Sequence, residues 1–128
     1  MILGIGTDIV DIRRIKRTIN NYGDNFIKRC FSDKEIKKSN YKLNKYNFYA
    51  KKFAAKEACS KALGTGLRNG IFWKDIEILN NSLGKPFIIL HNRALFKLNE
   101  LSSIESKIEI SMSDEKNYAI ANVIIFEK

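Results

Sequence analysis

The chain has little of what reactive centres are commonly made from. Its 128 residues include one histidine, two cysteines, one tryptophan and one proline. Cys30 and Cys59 have neither metal-ligand nor redox-motif spacing, so two reduced thiols in a cytosolic protein are expected. Cys59 falls in an apolar helical pattern and is expected to be buried. His91 follows a strand pattern and precedes a helical one, which places it at a turn or on the surface. Trp73 is most simply a core or rim aromatic. No Ser-His-Asp or Cys-His arrangement is evident, so covalent catalysis by a protein nucleophile is poorly supported. One proline and no low-complexity run argue against disorder. No apolar stretch approaches the ~20 residues that span a bilayer. The first residues show neither a basic leader nor an apolar signal core, so mature sequence and no membrane insertion are expected.

Acidic residues are also scarce. There are 14 Asp and Glu against 23 Lys and Arg, a formal net charge of +9. Such a chain meets an anionic partner: a nucleic acid, a nucleotide, an acidic protein or a membrane surface. Part of the lysine excess is compositional, because Lys, Asn and Ile are frequent throughout, so the position of charge matters more than its total. No recognisable DNA-binding or RNA-binding motif is present.

What remains is an ordinary globular balance, 45% hydrophobic and 29% charged, of a length that predicts one domain over residues 1–128. Ile2 to Ile9 reads as a strand reaching Asp8. Asp11 opens a helical pattern with Ile12, Ile15 and Ile19 inward, broken at Asn20–Gly23. A short helix is predicted over Asp24–Cys30, and Ser32 with Glu35 forms a capping box that starts another. Lys37–Tyr46 is polar and reads as a loop. A long helix is predicted from about Asn47 to Leu63, stopped by Gly64 in the left-handed conformation. Trp73–Leu79 and Phe87–Leu90 read as strands around a turn cluster. Asn92 is a candidate cap for a helix ending near Ser102. Ile108–Met112 and Tyr118–Phe126 read as strands joined by a hairpin turn at Asp114–Asn117. Helices early and antiparallel strands late make the class α+β.

Chemistry concentrates in Phe53–Gly66. Glu57 stands one turn before Lys61, and Gly64-Thr65-Gly66 follows. Mg²⁺ is commonly held by one or two carboxylates together with substrate phosphates, and Asp8 with Glu57 could form such a pair. Equally, Glu57 and Lys61 fit a solvated i,i+4 ion pair. The glycine turn can bring backbone N–H groups and Thr65 to a phosphate, helped by Lys61 or Arg68. It can also be a plain C-cap, at the helix end whose dipole repels anions. Gly4-x-Gly6 lacks the third glycine of a dinucleotide fingerprint, and no P-loop is present. Arg13, Arg14 and Arg17, continued by Lys28 and Arg29, form a basic face, either solvated or a docking surface for an acidic helix.

In these residues the chain resembles the holo-[acyl-carrier-protein] synthases, the small bacterial type of 4′-phosphopantetheinyl transferase. The resemblance is carried by Gly4-Ile5-Gly6-Thr7-Asp8-Ile9-Val10-Asp11-Ile12, Phe53-Ala54-Ala55-Lys56-Glu57-Ala58 and Ser60-Lys61-Ala62-Leu63-Gly64-Thr65-Gly66. Asp75-Ile76-Glu77-Ile78, Gly84-Lys85-Pro86, Ser111-Met112-Ser113 and Tyr118-Ala119-Ile120-Ala121 follow in family order. It implies a 4′-phosphopantetheinyl transferase-like fold, with a long helix packed on a small antiparallel sheet. The implied reaction moves the 4′-phosphopantetheine arm of coenzyme A onto a serine of apo acyl carrier protein, releases adenosine 3′,5′-bisphosphate, and serves fatty acid biosynthesis. By the same resemblance Asp8 and Glu57 are the Mg²⁺ ligands, Glu57 and Lys61 act in catalysis, and Lys61 with Gly64, Thr65, Gly66 and Pro86 meets coenzyme A. Arg14, Phe26 and Arg29 would meet the carrier protein, in a cytoplasmic homotrimer whose sites are shared between subunits. No nucleic-acid partner is implied. One position departs: Asp114 stands where many members have a histidine associated with the nucleotide, and an aspartate cannot donate to phosphate at neutral pH. The competing readings are a non-catalytic basic module that binds nucleic acid or an acidic protein, and a degenerate transferase fold.

Overall fold

A computed structural model describes residues 1–68 and 70–128. Five strands and five helices are present among them: β1 (Ile2–Asp11), α1 (Ile12–Tyr22), α2 (Asp24–Cys30), α3 (Asp33–Ser39), α4 (Lys45–Ala62), β2 (Ile76–Asn80), β3 (Pro86–Leu90), α5 (Asn92–Leu101), β4 (Ser106–Asp114) and β5 (Tyr118–Glu127). The α+β class is as expected. One antiparallel sheet has the order β1-β5-β4, and β2 pairs with β3 in a separate hairpin.

α4 is the axis of the molecule. It packs on β1, β4 and β5 on one side and touches β2, α1 and α3 on others. Its sequence suits that position: Ala50, Ala54, Ala55, Ala58, Cys59 and Ala62 are all buried, and small residues let neighbouring backbones come close. Closest is β1. A Cβ on Gly4 would lie 1.9 Å from the Ala62 carbonyl oxygen, and one on Gly6 would lie 1.9 Å from that of Ala58. The strand can sit this tightly on the helix only with hydrogen in place of a side chain.

Local sequence rules account for most boundaries. Asp11 caps α1, its carboxylate accepting from the Arg13 N–H at 2.9 Å. Gly23, at φ +54°, separates α1 from α2. The Ser32–Glu35 capping box forms as predicted. Gly64 follows α4 at φ +85°, the left-handed conformation expected for it.

Four boundaries differ from the sequence reading, each for a visible reason. β1 continues to Asp11, so Asp8 sits within the strand instead of at its end, held by pairing with Ala121 on β5. The polar loop shrinks to residues 40–44. Ser39 is buried and hydrogen-bonded to the Ile36 carbonyl and the Tyr49 hydroxyl, which extends α3, while Asn44 caps α4. Trp73–Asp75 forms a single 3₁₀ turn, because Asp75 accepts from the Phe72 N–H at 3.0 Å. His91, not Asn92, occupies the cap position of α5, and its own N–H is taken by the Asp75 carbonyl.

Candidate active site

The close contact of β1 with α4 joins residues far apart in sequence. Lys61, on the last turn of α4, turns to Asp8: its Nζ lies 3.0 Å from Asp8 Oδ1 and donates to the Thr7 carbonyl at 3.1 Å. The side chain of Asp8 is 11% exposed, and among the described residues its Oδ2 is buried without a hydrogen-bond donor. The Glu57 carboxyl stands against Asp8. Burial, and then the neighbouring Asp8 carboxyl, push Glu57 up to about 7, while Arg14 and Lys61 pull the other way. So the i,i+4 pair of Glu57 with Lys61 on a wet surface is not what forms; two carboxylates share one half-buried corner with one ammonium.

A folded-state value above that of the free carboxyl means the folded protein holds more protons than the unfolded chain between pH ~4.5 and ~7. Stability therefore falls as pH rises through that window, by about 1 kcal/mol once solvent screening of a half-buried group is allowed for. Removing the neighbouring charge relieves this. In Asp8→Asn the Glu57 carboxyl is expected to titrate closer to 4.5, and the protein's loss of stability between pH 4.5 and 7 to shrink. Carboxyl-detected NMR titration and thermal melts across that range check both. An unmoved Glu57 titration contradicts the pairing.

The two carboxylates fit a divalent cation. A buried oxygen without a donor beside a carboxyl that resists ionising is the pattern a hard cation resolves, and two carboxylates suffice where phosphates and waters complete the shell. Among the described residues no group of three or more acidic, His or Cys side chains could hold a metal alone.

The turn after α4 is less open than its glycines suggest. The Gly64 N–H donates to the Lys61 carbonyl at 2.9 Å, and those of Thr65 and Gly66 donate to the Ser60 carbonyl at 3.2 and 3.1 Å. The Thr65 hydroxyl donates to the Gly66 carbonyl at 2.8 Å. These groups close the helix end, so they do not stand ready as the phosphate donors the sequence suggested. Exposed Lys61 and Arg68 are the cations at this turn.

Asp114 ends β4 beside a cavity of about 300 Å³ lined by Lys42, Asn47, Lys51, Lys52 and Asn80. Its carboxylate is occupied: Asn47 Nδ2 donates at 2.7 Å and Lys51 Nζ lies 3.3 Å away. Lys52 is buried and donates to the Ile78 carbonyl, and burial lowers its ammonium to about 8. Pro86 begins β3 opposite Asn80, which lines that cavity. The sequence reading singled out none of these three α4 residues; the asparagine and two lysines at the start of α4 were the available signal.

Arg13, Arg14, Arg17, Lys28 and Arg29 are all exposed on α1 and α2. Arg14 is exposed on α1, near enough to Glu57 to act on its charge. Phe26 packs on Phe31 and Phe53, with ring centroids 6.2 and 6.0 Å away, and shares a hollow with Thr18, Tyr22 and Arg29 between α1 and α2. His91, expected at the surface, has a partner: its Nε2 lies 3.1 Å from Glu77 Oε1. Trp73 stacks on Phe53 at 4.4 Å. Both cysteines are buried free thiols, and burial raises them to about 11 for Cys30 and about 12 for Cys59.

This fold and this corner have relatives. The family model of the 4′-phosphopantetheinyl transferase superfamily matches residues 4–123, and the chain belongs to that family. It is 48% identical over 127 residues to the holo-[acyl-carrier-protein] synthase of Agrobacterium fabrum, covering 98% of this chain and 95% of that one. The crystal structure of the holo-[acyl-carrier-protein] synthase of Neisseria meningitidis superposes with a TM-score of 0.87 at 38% identity, over 99% of this chain and 100% of that one. A holo-(acyl-carrier-protein) synthase of Bacillus anthracis, in complex with CoA (3′,5′-ADP), superposes with a TM-score of 0.82 at 32% identity, over 100% of this chain and 99% of that one.

Proposed function

We propose that this chain is a holo-[acyl-carrier-protein] synthase: it transfers the 4′-phosphopantetheine group of coenzyme A to a serine of apo acyl carrier protein. The observation that carries the site assignment is the meeting of Asp8, Glu57 and Lys61 where β1 crosses α4. Asp8 and Glu57 would hold Mg²⁺, which when bound neutralises diphosphate charge. Lys61 offers a second positive charge to the same phosphates. Glu57 is the candidate base for the proton of the attacking serine, and through a water instead of directly, because a carboxylate that ligates a metal is a weak base. No protein nucleophile is needed, because phosphoryl transfer rests on positioning and charge. The cavity beside Asp114 supports binding of the nucleotide end, since Lys42 and Lys51 line it and can face its phosphates although Asp114 cannot.

The carrier protein would dock on Arg14, Phe26 and Arg29, and charge there is expected to govern encounter. Reversing Arg14 to Glu should raise the KM for carrier protein about tenfold, an effect on the order of 1.4 kcal/mol, with a smaller change for coenzyme A. Steady-state kinetics with each substrate varied in turn checks this; equal effects on both substrates would argue against a docking face. A homotrimer with shared sites is supported by the outer face of the sheet, where Ile5 and Ile9 on β1 are 66% and 62% exposed beside Ile124 on β5. An apolar patch of that kind calls for a covering partner. We place the protein in the cytoplasm; among the described residues no helix is long and apolar enough to cross a membrane.

The direct test incubates the protein with coenzyme A, Mg²⁺ and apo carrier protein and reads the intact mass of the carrier. Addition of one phosphopantetheine is expected. No addition, with Mn²⁺ failing as well, would refute the assignment.

A further inference from the structure

A second charged assembly lies on another flank of α4, and the reaction described above does not use it. Glu35 and Lys56 are both 0% exposed, with Nζ 2.8 Å from Oε1. The same Oε1 accepts from the Ser32 N–H at 2.8 Å, and Oε2 accepts from the Ile78 N–H at 3.1 Å. Lys56 spends its other donors on the carbonyls of Trp73, at 3.1 Å, and Ile76. One carboxylate thus joins the start of α3, the middle of α4 and strand β2, and every hydrogen of the ammonium is placed.

Lys56 immediately precedes Glu57, and successive helical side chains point ~100° apart. The rotation of α4 that satisfies Lys56 therefore sets the direction of Glu57. On the β1 side the helix backbone meets Gly4 and Gly6 through its carbonyls, a contact that limits approach, and the side-chain tie there is the exposed Lys61 reaching Asp8 and the Thr7 carbonyl. A turn of ~10° would shift a side-chain end by about 1 Å at ~5 Å from the axis. Mg²⁺ tolerates little of that, since it requires near-octahedral ligands.

We propose that Glu35 is a positioning residue: through Lys56 it fixes the rotation of α4 that presents Glu57 to Asp8. The inference rests on Asp8 and Glu57 being the metal pair. A structural role alone would be served by any well-packed replacement, because a buried ion pair exchanged for neutral groups of like volume is often no less stable. Glu35→Gln with Lys56→Met is such a replacement: the amide oxygen can still accept from a backbone N–H, and no charge is left buried.

The test follows Mn²⁺ binding by electron paramagnetic resonance with coenzyme A present, alongside thermal melts. Wild-type protein should bind Mn²⁺ and Asp8→Asn should not; if the wild type fails to bind, or Asp8→Asn binds equally, the metal-pair reading falls and this inference with it. Given that control, Glu35→Gln/Lys56→Met is expected to melt cooperatively and to bind Mn²⁺ about tenfold more weakly, the usual scale for an outer-shell change. Glu35→Asp keeps the charge and shortens the arm, so it should weaken Mn²⁺ several-fold and carries the test where the double variant does not fold. Ser39→Ala, which removes the buried partner of Tyr49 between α3 and α4, should lower the melting temperature without changing Mn²⁺ affinity. Wild-type affinity in a folded Glu35 variant, or an equal loss in Ser39→Ala, would overturn the proposal.

Discussion

Glu57→Gln is expected to cut phosphopantetheine transfer by at least about 10³-fold, the upper range for loss of one preorganised charged group, while the protein stays folded. The amide fills the same space but cannot accept a proton, and it is a poor partner for a hard cation. Folding should not suffer. In the metal-free protein Glu57 is held near 7 by burial and by Asp8, so removing its charge relieves a repulsion, and the melting temperature at pH 8 should equal or slightly exceed that of the wild type. This combination separates the site from the scaffold. A stable protein without turnover is the expected outcome in a carrier-mass assay and a thermal melt. Wild-type turnover would remove Glu57 from the site, and a collapsed melting temperature would make its role structural.

Gly6→Ala should be the most damaging single-methyl change in the chain. The new Cβ would lie 1.9 Å from the Ala58 carbonyl oxygen, with that residue's carbonyl carbon at 2.8 Å and the Ala62 nitrogen at 3.0 Å. None of these atoms can move without moving α4 or β1 as a whole. Overpacking ordinarily costs ~1–3 kcal/mol, and a clash with rigid backbone belongs at or above the top of that range. At ~4 °C per kcal/mol for a domain of this size, the melting temperature should fall by about 10 °C or more. Because β1 must retreat from α4, Asp8 leaves Glu57, so the folded fraction should also lose turnover. Calorimetry and activity normalised to folded protein check this; a loss under about 1 kcal/mol would show that the strand and helix are not so tightly apposed.

Much of the architecture was legible because local signals agreed with the final packing. The Ser32–Glu35 box, Gly23, Gly64 and the alternating strands each act over a few residues, and the structure honours them. The 3₁₀ turn at Trp73–Asp75 was not legible, since it depends on the Asp75 carboxylate accepting from the Phe72 N–H, which the apolar pattern does not announce. The proximity of Asp8 and Glu57 could not come from spacing; it came from the resemblance. Gly4-x-Gly6 was noted only as a glycine pair, yet Ala58 and Ala62 one turn apart on the long helix are its counterpart, and together they fix the β1–α4 contact.

Burial of charge was the hardest thing to see. Lys56 lies inside the motif that drew most attention, and a lysine on a helix is usually solvated. Its neighbours on the helix, Phe53, Ala55, Cys59 and Ser60, leave it no wet face, and the capping Glu35 provides the partner. The turn at Gly64–Gly66 misled in the other direction: glycines suggested free amides, and the helix end consumes them.

The central claim is that Asp8 and Glu57 form one divalent-cation site. Titrating the Glu57 carboxyl by NMR, with and without Mg²⁺ and with coenzyme A present, tests it most directly. Without metal the carboxyl should titrate near 7; with Mg²⁺ it should stay ionised to well below its ordinary value, because a bound cation replaces a repelling neighbour with an attracting one. A titration that Mg²⁺ leaves unmoved would contradict the account.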